Sequence, residues 1–233
     1  MEQFTFAEVP RIVNASEPHM ALLFLLDTSG SMEDARGDYY GKLKPINELN
    51  SAINRFKGSV CEDSQTRDIL DVAIINFDDD YTVLQEFTPV EEMKTINLTS
   101  GGMTNLGNAL NKAVDMVEER SRFYRRMGTE PYKPWIVIIS DGGPTDDITA
   151  VTARVNELVS QEKLAVWALS VPGANNAVLH QICGQRVLNL EGYDFKGFLD
   201  WANKSMRAVS RSAPGEKAKG QELPSTVTID SLM

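Results

Sequence analysis

Residues 22–31 read Leu-Leu-Phe-Leu-Leu-Asp-Thr-Ser-Gly-Ser, and this stretch decides the fold of the chain. Its five consecutive apolar residues predict a strand that is buried on both faces, as in the centre of a parallel sheet. Asp27, Ser29 and Ser31 then alternate along the chain, at the kind of strand end where open α/β sheets bind ligands. A carboxylate with two hydroxyls suits a hard divalent cation such as Mg²⁺. A polar turn that caps the next helix is the simpler alternative.

The composition is that of an ordinary folded but acidic protein. The chain has 233 residues, 42% hydrophobic and 24% charged, with a formal net charge of −10. This length suits one large domain or two small ones, and the regular alternation of strands and helices favours one. The negative charge argues against a nucleic-acid partner, because binding to phosphates requires a basic face. The surplus of carboxylates is compatible with binding cations.

The sequence also indicates a compartment. The N-terminus does not resemble a signal peptide, and no apolar run approaches the roughly 20 residues that span a bilayer. Cys61 and Cys183 are the two cysteines, too few for a disulfide framework. We therefore expect free thiols in a cytoplasmic protein that does not bind a membrane.

Strands and helices alternate along the rest of the chain. Apolar runs predict further strands at 69–77, 135–140, 164–171 and 186–190, and an alternating run predicts an edge strand at 81–87. Helical spacing of apolar residues predicts helices that begin near Pro45, Thr104, Thr145, Asn176 and Phe195. The first helix is expected to end at Gly58. This pattern predicts a doubly wound α/β fold, with a mostly parallel six-stranded sheet, one antiparallel edge strand and helices on both faces.

Segments on either side of this pattern are predicted to lie outside the domain. Residues 1–19 are expected to form an arm or an edge strand, and residues 20–212 the domain itself. Residues 213–233 are mostly polar and predict a flexible tail, although their apolar end could dock on the domain. The basic run Arg120, Arg122, Arg125 and Arg126 is expected to be a solvated face.

Two further stretches place oxygen atoms near the end of the first strand. Thr104 follows the pair Gly101-Gly102, whose small size allows a close backbone approach, although Thr104 could simply be a helix N-cap. Asp141 follows a buried strand, as Asp27 does. Carboxyl ends of neighbouring parallel strands meet at one edge of a sheet. The side chains predicted to converge there on one oxygen cage are Asp27, Ser29, Ser31, Thr104 and Asp141.

A run of three aspartates, Asp78 to Asp80, raises the question of a calcium loop. The sharp turn of an EF-hand requires glycine at its sixth position, and the sixth residue counted from Asp78 is Val83. We therefore interpret the aspartates as a solvated hairpin turn between two strands.

The combination of these motifs resembles the von Willebrand factor A domain. The metal-ion-dependent adhesion site of that family has the pattern Asp-x-Ser-x-Ser, then Thr, then Asp, and the five residues from Asp27 to Asp141 match it. The resemblance covers about residues 20–212. Within the family, the chain is most similar to bacterial TerY-type proteins, which belong to tellurite-resistance and stress gene clusters. This similarity rests on Thr104-Asn105-Leu106-Gly107, on Lys133-Pro134-Trp135 before the fourth strand, and on residues 140–146.

The resemblance implies a function that the motifs alone do not. It implies a divalent cation, Mg²⁺ or else Mn²⁺ or Ca²⁺, held by the hydroxyls of Ser29, Ser31 and Thr104. Asp27 and Asp141 would bind it directly or through water, which leaves one position for an Asp or Glu of a partner protein. The implied protein is a binding module without catalytic activity. A Ser/Thr kinase or a phosphatase is the first candidate partner, and the loops Glu33–Gly41 and Glu92–Met103 are expected to supply specificity.

The main alternative is a metal-dependent phosphohydrolase or phosphotransferase. Haloacid-dehalogenase-like sites also begin with an aspartate after a buried strand, but they need a second acid two residues later, where this chain has Ser29. A serine hydrolase is disfavoured, since the Gly-x-Ser-x-Gly elbow is absent and the only histidines are His19 and His180. The sequence also lacks a Gly-x-x-x-x-Gly-Lys loop for a nucleotide.

Overall fold

The computed structural model describes residues 12, 14, 16–33, 44–140, 143–172, 174–216 and 220–230. Their strands are β1 Met20–Asp27, β2 Leu70–Phe77, β3 Tyr81–Pro89, β4 Trp135–Ser140, β5 Ala165–Ser170, β6 Val187–Leu190 and β7 Val227–Ile229. Their helices are α1 Pro45–Cys61, α2 Ser64–Ile69, α3 Leu106–Arg126, α4 Thr149–Ser160, α5 Asn176–Cys183 and α6 Phe195–Ser210. Short 3₁₀ helices span Gly30–Glu33 and Val90–Glu92.

The strands form one sheet in the order β3-β2-β1-β4-β5-β6-β7. Strand β1 lies near its centre and pairs in parallel with β2 and β4, and all eight of its residues are buried. Alternate side chains of β1 enter two cores: Leu22 and Phe24 pack on the α1 and α6 side, and Leu23 and Leu25 on the α3 side. Helices on both faces explain why this strand is apolar from Met20 to Leu26, and the predicted doubly wound α/β fold is confirmed.

The sheet has one strand more than predicted. Val227–Ile229 forms β7, which pairs antiparallel with β6, so both edges of the described sheet are antiparallel and this part of the expected tail is ordered. Asp230 anchors the strand, because its carboxylate accepts hydrogen bonds from His180 Nε2 at 2.8 Å and from the amides of Asn176 and Asn189. The bond from His180 lowers the pKa of Asp230. A three-residue strand is too short to produce a recognisable pattern.

Two helix boundaries also differ from the predictions. Helix α1 continues past Gly58 to Cys61, because Val60 is fully buried and packing outweighs the weak helix propensity of glycine. Helix α4 begins at Thr149 and not at Thr145, since the residues before it contact the start of α3. Asn105, and not Thr104, occupies the N-cap position of α3.

Some expectations concern parts of the chain that the structure does not describe. The predicted N-terminal arm falls largely on residues 1–11, 13 and 15, which lie outside the described residues. The predicted rim loop Glu33–Gly41 also lies outside them, except for Glu33. In the part of the chain that is described, no helix has both the length and the apolar character needed to cross a membrane.

Candidate metal centre

The turn that follows β1 brings three of the predicted site residues together. Oδ1 of Asp27 accepts a hydrogen bond of 2.8 Å from the backbone N–H of Ser29. The hydroxyl oxygens of Ser29 and Ser31 lie 3.0 Å apart. Thr28 lies between these residues and donates its hydroxyl to Phe77 O on β2, which fixes the turn to the neighbouring strand. The alternating Asp-x-Ser-x-Ser pattern thus gathers its three polar side chains in one place.

The distance between the two serine hydroxyls permits a test of fit to a cation. Adjacent ligands of an octahedral Mg²⁺ lie about 2.8–3.0 Å apart, because each lies 2.0–2.1 Å from the ion. The longer bonds to Ca²⁺ would place adjacent oxygens roughly 3.3–3.7 Å apart in the same geometry. The observed 3.0 Å matches the smaller ion, and it is also the length of a hydrogen bond between the two hydroxyls.

Asp27 is held from both sides. Its Oδ2 accepts a hydrogen bond of 2.6 Å from the hydroxyl of Ser140, the last residue of β4, while Oδ1 accepts the bond from Ser29. Asp27 and Ser140 are both fully buried, and Ser29 is 2% exposed. With each oxygen already accepting a hydrogen bond, the carboxylate is fixed in orientation and has fewer lone pairs for a direct bond to a cation.

The loop that carries Thr104 is joined to the same turn. Gly101 N donates to Thr28 O at 2.8 Å, and Gly30 N donates to Gly102 O at 3.2 Å. Gly102 has a φ of +76°, and a Cβ there would lie 3.0 Å from the carboxyl carbon of Asp79. The paired glycines therefore provide the close backbone approach, which places buried Thr104 at the same edge of the sheet as Asp27.

Residues after β4 clamp the start of α3. Thr145 N donates to Thr104 O at 2.9 Å, and the carboxylate of Asp146 accepts 2.9 Å hydrogen bonds from Gly107 N and Asn108 N. A Cβ on Gly107 would lie 2.6 Å from the backbone oxygen of Asp147. The sequence analysis missed this role of Asp146, and the glycine at the second position of α3 is the signal that could have revealed the close contact.

The acidic hairpin between β2 and β3 borders this edge of the sheet. Asp79 Oδ1 accepts a hydrogen bond of 2.9 Å from Met103 N, and Asp78 O accepts one of 2.8 Å from Asn105 N. Asp79 and Asp80 are exposed, as expected for a hairpin turn, but the hairpin also holds the Thr104 loop. The side chain of Met103 is 56% exposed beside it. The rim is therefore acidic with one exposed apolar side chain.

The described residues place three of the five predicted ligands, Asp27, Ser29 and Ser31, in contact, and Thr104 lies on the adjoining loop. Asp141 lies outside the described residues, although its neighbour Ser140 contacts Asp27. Among the described residues, no three His, Cys, Asp or Glu side chains are placed to hold a metal ion. The predicted ligand set differs from such clusters because three of its five residues offer hydroxyls, and only two are carboxylates.

Of the first predicted rim loop, Glu33–Gly41, the structure describes Glu33. The exposed carboxylate of Glu33 accepts hydrogen bonds from Lys44 and, at 2.7 Å, from Ser100. These bonds, that of Lys44 first, lower the pKa of Glu33. Because Ser100 precedes the Gly101-Gly102 pair, Glu33 joins the two loops that were expected to surround the site.

Comparison with known proteins identifies the fold family. The sequence profile of the von Willebrand factor type A domain matches residues 21–196. No curated protein gives a significant match.

Solved structures resemble the chain in fold. The pilus adhesin SpaC from Lactobacillus rhamnosus GG has a TM-score of 0.63 and 12% identity over 86% of this chain and 32% of its own. Proximal thread matrix protein 1 from the mussel byssus, described with a zinc-occupied MIDAS motif, has a TM-score of 0.53 and 17% identity over 82% of this chain and 47% of its own.

A third structure matches almost over its full length. An aerotolerance-related membrane protein from Bacteroides fragilis NCTC 9343 has a TM-score of 0.54 and 14% identity over 81% of this chain and 98% of its own. The chain thus spans less than half of the adhesin and of the mussel protein. At these identities the likeness concerns the fold alone.

Proposed function

Because the chain belongs to the von Willebrand factor type A domain family, we propose that it is a metal-dependent protein-binding module without catalytic activity. The cation ligands in this proposal are Asp27, Ser29, Ser31, Thr104 and Asp141. The observation that carries it is the 3.0 Å spacing of the Ser29 and Ser31 hydroxyls beside a carboxylate that Ser29 N and Ser140 hold in place.

The side chains have different roles in the proposed site. The hydroxyls of Ser29, Ser31 and Thr104 bind the cation directly, and Asp27 acts through water because both of its oxygens already accept hydrogen bonds. Asp141 adds a carboxylate from the end of β4. A bound cation coordinated mainly by neutral oxygens keeps positive charge and attracts an acidic ligand.

Mg²⁺ is the cation that the spacing favours. The 3.0 Å between the hydroxyls suits bonds of about 2.0–2.1 Å, and Mn²⁺ accepts the same oxygen ligands. Zinc, which occupies the motif of the mussel protein, prefers nitrogen and sulfur ligands in four-coordinate sites. We therefore expect Mg²⁺ or Mn²⁺ to bind more tightly than Ca²⁺.

The proposed partner is a protein that contributes an Asp or Glu to the cation. A charge-assisted bond of this kind gives an interface its specific contact. Met103, with its side chain 56% exposed next to Thr104, offers an apolar contact at the rim. The acidic hairpin Asp78–Asp80 would favour a partner with basic residues around its acidic one.

The similarity to TerY-type proteins suggests where to look for this partner. It makes a Ser/Thr kinase or a phosphatase of a bacterial cytoplasmic stress or tellurium-resistance system the first candidate. Gly107, part of the similar motif, has a packing reason of its own, because a side chain there would meet the backbone of Asp147. Gly107 is therefore explained by packing within the domain, and the choice of partner rests on the remaining similarity to TerY-type proteins.

Partner capture tests the proposal. Wild-type protein in Mg²⁺, wild-type protein in EDTA, and the double variant Ser29→Ala with Ser31→Ala are immobilised and exposed to a lysate. The matched control is Ser51→Ala with Ser64→Ala, which removes two exposed hydroxyls elsewhere. We expect to find a partner that binds to the wild type in Mg²⁺ and to the control variant. The same partner should not bind to the wild type in EDTA or to the double variant of Ser29 and Ser31. A partner retained equally in all four would place the interface away from the metal.

A further inference from the structure

A cavity of about 840 Å³ opens at the end of the sheet opposite the candidate metal centre. Trp135, the first residue of β4, lines it, whereas Ser140, the last residue of β4, contacts Asp27. Five residues of strand separate the two places by roughly 17 Å. Ligand pockets of proteins usually measure about 300–1,000 Å³, so this cavity has the size of a binding site for a small molecule.

The wall of the cavity is strongly aromatic. The chain has three tryptophans, and all three line it: Trp135 on β4, Trp167 on β5 and Trp201 on α6. The ring centroids of Trp167 and Trp201 are 5.0 Å apart, and Trp135 lies 5.8 Å from Trp167 and 6.4 Å from Trp201. Trp201 is fixed by a hydrogen bond of 3.2 Å from its Nε1 to Gln221 O. At these distances the three indole rings pack on one another and form one continuous aromatic wall, which offers contact area to a planar aromatic ligand.

The charge of the wall differs from that of the whole chain. The chain has 33 acidic and 23 basic residues, yet the cavity is lined by Arg186 and by no acidic side chain among the described residues. Arg186 is half-buried, its guanidinium carbon lies 5.9 Å from the centre of the Trp167 ring, and no carboxylate of the described residues forms an ion pair with it. A cation without a paired carboxylate beside an aromatic wall favours an anionic ligand.

Polar atoms in the wall offer further contacts. Trp167 Nε1 and Ser205 Oγ are buried and form no hydrogen bond with the described residues. A buried donor without an acceptor is unfavourable, so a ligand acceptor that reaches these atoms as the side chains adjust gains affinity.

We propose that this cavity binds a small planar aromatic anion, with its ring against the wall formed by Trp135, Trp167 and Trp201 and its acidic group paired with Arg186. The site is separate from the proposed metal centre and does not depend on it. The ring supplies apolar contact area, and the guanidinium selects the charged form over a neutral amide of the same shape.

The three tryptophans make the test direct. In ¹⁵N-labelled protein each indole N–H gives its own NMR signal, so 2-naphthoate is titrated and all three signals are followed. We expect saturable shifts of the three signals with a Kd below about 1 mM. Two further probes separate the ring from the charge: 2-naphthamide keeps the ring without the charge, and laurate keeps the carboxylate without the ring. Both should bind at least about tenfold more weakly than 2-naphthoate.

Variants test the role of each part. Arg186→Gln should weaken the binding of 2-naphthoate about tenfold and leave the affinity for 2-naphthamide unchanged. Arg126→Gln, which removes an exposed arginine elsewhere, should change neither. Ser205→Leu fills part of the cavity and should weaken the binding of both 2-naphthoate and 2-naphthamide. This second variant tests the cavity even if Arg186→Gln does not fold. EDTA should have no effect on any of these affinities.

Several results would overturn the proposal. Indole signals that do not shift in millimolar 2-naphthoate, or equal affinity for 2-naphthoate and 2-naphthamide, would exclude an anion site. Tighter binding of laurate would mean that the cavity takes a lipid chain. Loss of 2-naphthoate binding in EDTA would assign the effect to the metal centre.

Discussion

The hydroxyl of Ser140 donates a 2.6 Å hydrogen bond to Oδ2 of Asp27, and this bond joins the carboxyl ends of β4 and β1 at the centre of the sheet. Both residues are fully buried. Ser29 N donates to the other carboxylate oxygen, so the orientation of Asp27 is set by two donors from the protein itself. Groups that orient a ligand in this way contribute to metal affinity without contacting the metal.

The first prediction is that Ser140→Ala weakens binding of Mg²⁺ or Mn²⁺ by about 10–100-fold, as is usual for loss of an orienting partner. Asp27 would keep its charge but lose the hydrogen bond that Ser140 donates to Oδ2. Ser170→Ala is the matched control, since Ser170 pairs with Ser140 in register at the end of β5 and is also buried, but donates to Asn176. Calorimetric titration with Mn²⁺ measures both variants. Equal losses of Mn²⁺ affinity in the two variants would show that the effect comes from a general loosening of the sheet.

The second prediction concerns stability. A cation that binds only the folded state at tenfold excess over its Kd stabilises it by about 1.4 kcal/mol, which raises Tm by roughly 3–6 °C in a chain of this size. Melting curves in Mg²⁺, Mn²⁺ and EDTA measure this shift. Asp141→Ala should remain folded by circular dichroism and lose most of the shift, while Glu86→Ala, which removes an exposed carboxylate elsewhere, should keep it. Identical curves for the wild type in all three solutions would argue against a metal site.

The third prediction is that Asp146→Ala lowers the free energy of unfolding by about 2 kcal/mol. Its carboxylate accepts hydrogen bonds from Gly107 N and Asn108 N, and these first-turn amides of α3 would lose a charged acceptor. Asp147→Ala is the control, since the carboxylate of Asp147 contacts only the local backbone N–H of Thr149 among the described backbone donors. Urea unfolding of the two variants gives the difference. A smaller effect for Asp146→Ala than for Asp147→Ala would contradict the clamp.

The elements that a local pattern encodes were predictable from the sequence. The continuous apolar run of β1 and the helical spacing in α3 each mark an element that packs along its whole length, so pattern and structure agree. Strand β7 was not predictable in this way, because pairing with β6 and the contacts of Asp230 hold three residues that carry no pattern of their own. Gly58 was misjudged because burial of Val60 continues the helix through it.

The candidate site shows the same division. The spacing of Asp27, Ser29 and Ser31 within one turn predicts their proximity, which the structure bears out. The clamp by Asp146 was missed because it joins residues 39 positions apart. Capping motifs in a sequence assign an aspartate to the helix that follows it in the chain. Here the carboxylate of Asp146 instead caps α3, which precedes it.

A buried charged cluster at the other end of β1 also escaped the sequence analysis. Arg120 was expected in a solvated face, yet it is 4% exposed, and its Nη2 donates to Asp71 Oδ2 at 2.7 Å. The hydroxyl of Tyr124 also donates to Asp71, and His19 Nδ1 lies 3.5 Å from it. The error arose because arginines spaced along a helix give no sign that a strand presents a carboxylate to one of them.

These contacts set the ionisation of the cluster. Burial opposes the charge of Asp71, but the neighbouring His19 ring and the charge of Arg120 outweigh it and lower the pKa of Asp71. Burial, and then the charge of Asp71, raise the pKa of Tyr124 well above its ordinary value. Asp71 is therefore ionised and Tyr124 neutral near pH 7, which satisfies both partners of the short contact between them.

The last prediction is that Asp71→Asn lowers the free energy of unfolding at pH 7 by about 3–5 kcal/mol, because Arg120 would remain buried without its counter-charge. The folded-state pKa of Asp71 is lowered, so its contribution is present above the unfolded value of about 3.9 and is lost as pH falls through the folded value. Urea unfolding at pH 7, 5, 4 and 3 should therefore show a steeper loss below pH 5 in the wild type than in Asp71→Asn. The control variant Asp68→Asn changes a carboxylate at the protein surface, and its stability should depend on pH as that of the wild type does. Parallel pH profiles for wild type and Asp71→Asn would mean that the buried pair does not govern acid stability.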